Sequence, residues 1–106
     1  MEYLNKIELK GIVGRATNRF CTPTTSATSF SIVTEYCYKD MTGQDTIETM
    51  WMECYACDNK TAQTLQGGDR VHVIGRLHPQ RYTDDSGEER ATYKVIASSV
   101  EKIEEE

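Results

Sequence analysis

From Thr46 to Cys57 the chain alternates, with Met50, Met52, Cys54 and Ala56 on the even positions and Ile47, Thr49, Trp51, Glu53, Tyr55 and Cys57 on the odd ones. Side chains two apart share one face of an extended strand, so this pattern predicts β-structure and argues against a helix. The even set is apolar and suits a core. The odd set leaves two flat rings, Trp51 and Tyr55, on the face that meets water. Trp51 is the single tryptophan of the chain. An indole and a phenol on one open sheet surface predict a platform for flat ligands, of which nucleobases are the commonest. The alternative is that Trp51 packs in a subunit interface, or that the register is inverted, since large aromatics are rarely left in water without a use.

Four further segments read as strands. Tyr3 to Gly14 points Ile7 and Leu9 one way and Lys6, Glu8 and Lys10 the other, with Gly11 and Gly14 marking places for a bend or bulge. Ala16 to Ala27, rich in Thr and Ser around Pro23, is expected to be a mobile surface loop. Thr28 to Tyr38 follows, with Phe30 and Ile32 inward. The run 39–45 is turn chemistry, with Gly43 able to take a positive φ. Asp58 is placed to cap a short helix over Asn59 to Gln66, with Ala62 and Leu65 on one side, and Gly67 and Gly68 end it. A fourth strand starts at Arg70 with Val71 and Val73 inward, and Pro79 makes its far part an edge or a bulge. A turn around Gly87 leads to a fifth strand, Arg90 to Ile103, with Tyr93, Val95 and Ala97 on one face. The order β-β-β-α-β-β predicts an all-β fold, an OB-fold: a five-stranded Greek-key barrel with one short helix between strands 3 and 4.

At 106 residues the chain is read as one domain over 1–103, with an acidic tip at 104–106. No apolar run is long enough to span a membrane, and the N-terminus lacks a signal-like core, so a cytoplasmic protein with no membrane partner is expected. Cysteines stand at 21, 37, 54 and 57. The Cys54-Cys57 spacing suggests a zinc knuckle or redox pair. An offset of three on a strand sends the two sulfurs to opposite faces, so neither metal nor cofactor is expected there. The net charge of −5 is uneven, because the last six residues hold four glutamates and one lysine. A body near −2 can still present a basic groove, since the local field governs phosphate contact.

The residues also resemble the bacterial single-stranded DNA-binding protein family. The similarity rests on NKIELKGIVGR at 5–15, SFSIVT at 29–34, ETMWMECYAC at 48–57 and LQGGDRVHVIGRLHPQRYTDDSGEERATYKVIA at 65–97. It implies stacking of bases on Tyr38, Trp51 and Tyr82, each at an aromatic position of the family pattern. A fourth family aromatic falls on Cys57, for which Tyr55 on the same face is a partial replacement. A basic family position falls on Glu53, and the basic cluster before Tyr82 is reduced to His78 and Arg81. The chain looks like a tail-less form, with the primosomal replication protein N type as a near relative. The resemblance implies homo-oligomers, tetramer or dimer, and partners among replication or primosome proteins.

A binder of single strands needs rings for stacking and cations for phosphates. Lys10, Arg15, Arg76 and Arg81 are the phosphate candidates, by outward parity or closeness to the aromatics. The sequence carries no nucleophile–histidine–acid set, phosphate loop or metal-ligand series, so no enzyme is expected. The competing expectation is a scaffolding OB module that works mainly through protein–protein contacts, because the fold hosts both kinds of surface.

Overall fold

A computed structural model describes residues 2–20 and 25–103. Pro23, Cys21 and the acidic tip at 104–106 lie outside the described residues. Five strands, β1 (Ile7–Phe20), β2 (Ser26–Lys39), β3 (Asp45–Cys57), β4 (Arg70–Thr83) and β5 (Glu89–Lys102), and one four-residue helix, α1 (Lys60–Gln63), follow the expected order. They close into a barrel in the order β1-β2-β3-β5-β4. All pairings are antiparallel except β3 with β5, which is parallel and brief, Cys54 opposite Val95 and Tyr55 opposite Ile96. This is the OB-fold.

Alternation fills the interior. Phe30, Ile32, Cys54, Val71, Val73 and Val95 are wholly or almost wholly buried, and Leu9 and Val13 join them from β1. Fully burying such a side chain stabilises by about 1.5–3 kcal/mol each. Ala62 of α1 and Leu65 just after it join the same core. Among the described residues no helix is long and apolar enough to cross a membrane.

Two strand pairs run past the core as ribbons, and this corrects the expected core placement of Met50. Met50 shares the parity of Met52, Cys54 and Ala56 yet is exposed, and Tyr93 shares the parity of Val95 and Ala97 yet is exposed. β3 meets β5 only at residues 54 and 55, so there is no barrel interior for Met50 to face. Pro79 lies in the β4–β5 ribbon opposite Tyr93, beyond the residues of β4 that pair with β1, and there its missing donor costs nothing. A bulge between Ile74 and Gly75 shifts the inward parity of β5 from Val95 and Ala97 to Val100.

The two ribbons end in the same turn. In DMTGQ and DDSGE the aspartate Oδ1 accepts from the backbone two and four residues on, and the glycine takes φ +85° at Gly43 and +83° at Gly87. Arg90 Nε reaches Asp84 Oδ2 at 2.5 Å, and with the Ser86 hydroxyl it holds the Asp84 carboxyl down to about 2.

Three boundaries differ from expectation. Tyr3 and Leu4 are exposed and outside β1; instead the Asn5 side-chain amide donates to the Leu77 carbonyl at 2.8 Å and accepts from its N–H at 3.0 Å, standing in for a strand. Most of the segment expected as a mobile loop is ladder, from Ala16 opposite Phe30 to Phe20 opposite Ser26. Several of its polar side chains are tied to neighbouring elements: Thr28 donates to Asn18, Gln63 donates to the Ser26 hydroxyl, and Asn18 donates to the Gln63 carbonyl. The helix is shorter than expected and is capped by Asn59, whose Oδ1 accepts from Ala62 N at 2.9 Å. Asp58 is occupied elsewhere, in a left-handed conformation (φ +50°) with its carboxylate on Ser26 N.

Candidate nucleic-acid interface

Paired residues of neighbouring strands share a face, so register maps the outer surface row by row. Trp51, Glu53 and Tyr55 point outward along β3, roughly 7 Å apart by strand rise. Across β2 they meet Val33, Ser31 and Ser29, and across β1 they continue to Ile12, Arg15 and Thr17. A bulge between Val13 and Arg15 sets this arrangement. Val13 is buried, so unbroken alternation would aim Arg15 into the core; the extra residue turns it out, level with Glu53.

The bulged residue, Gly14, also seats the indole. A Cβ there would come within 2.5 Å of the Trp51 ring and 2.9 Å of Ser31 Oγ. The ring therefore lies along bare backbone, and Trp51 remains 63 % exposed. The alternative in which Trp51 sits inside an inverted register does not hold for this chain: Cys54 and Ala56, of the opposite parity, are the buried residues of β3. Cys54 and Cys57 do face opposite ways, one buried and one exposed, and burial pushes the Cys54 thiol up to about 12.

Beyond Tyr55 the same outer face crosses onto β5 and β4. Tyr55 pairs with Ile96, which pairs with Arg76. Lys94, two residues before Ile96, places its ammonium 4.4 Å from the Tyr55 ring centroid, a cation–π contact. Lys94 was not singled out from sequence, because its position depends on a parallel pairing of only two residues. Further along this face stands Tyr82, exposed and opposite Arg90. Lys10 is exposed on the outside of β1 opposite His72, two residues from Ile12 and so one row beyond Trp51. On that surface His72 Nε2 meets Glu8 Oε2 at 2.6 Å, which holds the Glu8 carboxyl below its usual value.

Two expected residues alternate to the other side of their ribbons. Tyr38 pairs with Thr46 and shares a face with Tyr36, Glu48 and Met50, opposite to Trp51. Its ring centroid is 5.6 Å from that of Tyr36 and its hydroxyl is 3.5 Å from Glu48 Oε1. Partial desolvation first, then the Glu48 charge, hold the Tyr38 phenol above its usual value. Arg81 pairs with Ala91 and lies on the Tyr93 side rather than the Tyr82 side. The structure thus gathers Trp51, Tyr55, Arg15 and Arg76 on one continuous face, with Lys10 and Tyr82 at its margins.

The candidate cations differ from their paired neighbours. Lys39, Arg90 and Lys102 bind Asp45, Asp84 with Glu88, and Asp69 respectively. Among the described residues Lys10, Arg15, Arg76 and Arg81 form no ion pair. Exposed rings flanked by unpaired cations can stack bases and neutralise phosphates in one pass of a strand.

The model of the Single-strand binding protein family matches residues 4–103. Among solved structures, the chain is similar to a Plasmodium falciparum SSB in complex with ssDNA, at 24% identity and a TM-score of 0.85, covering 98% of each chain. It is also similar to a deletion mutant of the single-stranded DNA binding protein from Thermus aquaticus, at 21% identity and a TM-score of 0.78. That match covers 95% of this chain and 51% of the other, so this chain spans about half the length of the Thermus protein. At these identities the two structures establish a shared fold.

Proposed function

This chain belongs to the single-strand binding protein family, and from that membership we propose that it binds single-stranded DNA with broad sequence tolerance, in replication, recombination or repair. The observation that carries the reading is the exposed indole of Trp51, laid over Gly14 on a face where, among the described residues, Arg15 and Arg76 form no ion pair. Bases stack on Trp51 and Tyr55. Arg76 and Lys10 take phosphates and Arg15 meets either a base edge or its phosphate, while the two ribbons carry Tyr38, Tyr82 and Arg81 to the flanks of the path. Lys94 sits over Tyr55, where it meets either the base or its phosphate. The proposed function is binding, for which this face offers rings and cations. Stacking contributes about 1–3 kcal/mol per base, which tolerates any sequence because every base has a π-face.

A scaffolding role is the second reading, and one observation favours it. Tyr36, Tyr38 and Met50 are exposed together on one face of the β2–β3 ribbon, an apolar surface suited to protein contact. We also propose self-association, as a dimer or tetramer, which sedimentation at micromolar concentration tests; a monomer alone contradicts it. The two readings separate in an anisotropy titration of labelled oligo-dT. Saturable binding is expected of the DNA reading, and its absence at tens of micromolar protein would leave the scaffolding reading in its place.

A further inference from the structure

The outer face of β1, β2 and β3 holds a recess of about 360 Å³, within the range of small-ligand clefts, about 300–1,000 Å³. Arg15 and Thr17 form one wall, Glu53 and Tyr55 the other, and Ser29 and Ser31 the floor. Glu53 is the anomaly, because a carboxylate repels the phosphates that the rest of the face attracts. Its place explains it. Glu53 stands between Trp51 and Tyr55 on the same strand face, within reach of the edge of a base stacked on either ring.

An ionised carboxylate only accepts hydrogen bonds, and a guanidinium only donates them. Glu53 and Arg15 stand one strand apart from each other across β2, with Cα positions separated by about 9–10 Å. Among the described residues neither closes an ion pair. The small buried Ser31 between them keeps the gap open. An acceptor facing a donor across such a gap is the complement of a flat ring with donors at one part of its rim and acceptors at another.

Guanine fits best. Its N1–H and N2–H₂ present two parallel donors to a carboxylate, while O6 and N7 accept from an arginine. Cytosine and adenine each offer one amino group to Glu53, next to a ring nitrogen that a carboxylate repels. Thymine offers one N–H flanked by two carbonyls, the poorest match. We infer that Glu53 and Arg15 form a base-edge reader that prefers guanine beside the Tyr55 ring. This rests on the single-strand reading above and adds to it a preference at one nucleotide of an otherwise tolerant path.

The test compares Trp51 quenching by an oligo-dT of about 16 nucleotides, the upper site size of one OB-fold, with the same strand carrying one central dG, dI or dC. The dG strand is expected to bind at least roughly fivefold more tightly than all-T, the lower end of what one bidentate pair yields. Inosine, which lacks the N2 amino group, should recover only part of that gain. Glu53→Gln should raise all-T affinity, because a negative charge is gone, and bring the dG-to-dT ratio toward one. Equal affinities for all-T and dG strands, tighter binding of dC than dG, or a guanine preference that survives Glu53→Gln each overturn the inference while leaving the single-strand reading standing. Quenching by none of the strands overturns the single-strand reading itself.

Discussion

Replacing Trp51 with alanine should separate binding from folding. A wholly buried aromatic removes about 150–250 Å² from water. A tryptophan that is 63 % exposed covers roughly a third of that, ~50–90 Å², which at about 25 cal/mol/Å² is worth about 1–2 kcal/mol of stability. Truncation leaves no cavity, since the ring lies on the surface against Gly14 and not among core side chains. A core tryptophan would cost about 3–5 kcal/mol instead. Affinity for oligo-dT, in contrast, should fall by the stacking contribution of at least one base, about 1–3 kcal/mol or roughly 5- to 150-fold. Urea denaturation followed by circular dichroism reads the first quantity, and anisotropy of labelled oligo-dT reads the second. A folded Trp51→Ala protein with unchanged affinity would refute the stacking role. A stability loss of 4 kcal/mol or more would refute the surface placement.

Three further outcomes follow from the same geometry. Arg76→Ala should lower the slope of log affinity against log salt by up to about 0.7, one phosphate's share for a single strand; an unaltered slope removes Arg76 from the path. Asp84 is held at about 2 by Arg90 and Ser86, below the ordinary carboxylate value of about 3.9. Its contribution to the β4–β5 turn is therefore complete above pH ~4 and is lost as pH falls from ~4 through ~2; backbone NMR signals of Ser86 to Glu88 that titrate near 4 would contradict this. With its thiol pushed up to about 12, Cys54 has almost no thiolate at pH 8, so mass mapping after alkylation should find Cys37 and Cys57 modified in the native protein and Cys54 only in denaturant. Native labelling of Cys54 at the rate of Cys57 would sink that assignment.

The alternating strands and the glycine turns were legible because each is decided by neighbours in sequence. Trp51 outward, with Cys54 and Ala56 inward, needs only the period of two. Gly43 and Gly87 need only the turn residues around them. What sequence hid depends on distant partners. The stretch from Ala16 to Ala27 reads as a loop from its threonines and serines, and nothing local shows that Gln63, some forty residues away, satisfies Ser26. Asp58 looks like the better cap until Ser26 N claims its carboxylate. Gly14 was legible as a bulge, but its consequence, Arg15 turned outward beside Glu53, appears only once the register with Ser31 is fixed. Tyr38 was placed by resemblance and Arg81 by its closeness to Tyr82, and strand pairing sets both on ribbon faces away from Trp51. Lys94 escaped for the opposite reason: its companion Tyr55 lies across a parallel pairing too short to leave a pattern.

The central claim is that the indole meets a base on a face whose cations meet its phosphates. Trp51 fluorescence, titrated with oligo-dT across a range of salt, tests both halves at once, because no second tryptophan contributes. The account predicts saturable quenching whose affinity falls as salt rises, with a slope between about −2 and −3 if three or four of Lys10, Arg15, Arg76 and Arg81 each neutralise one phosphate. An indole signal that oligo-dT leaves unchanged, or an affinity indifferent to salt, would contradict it.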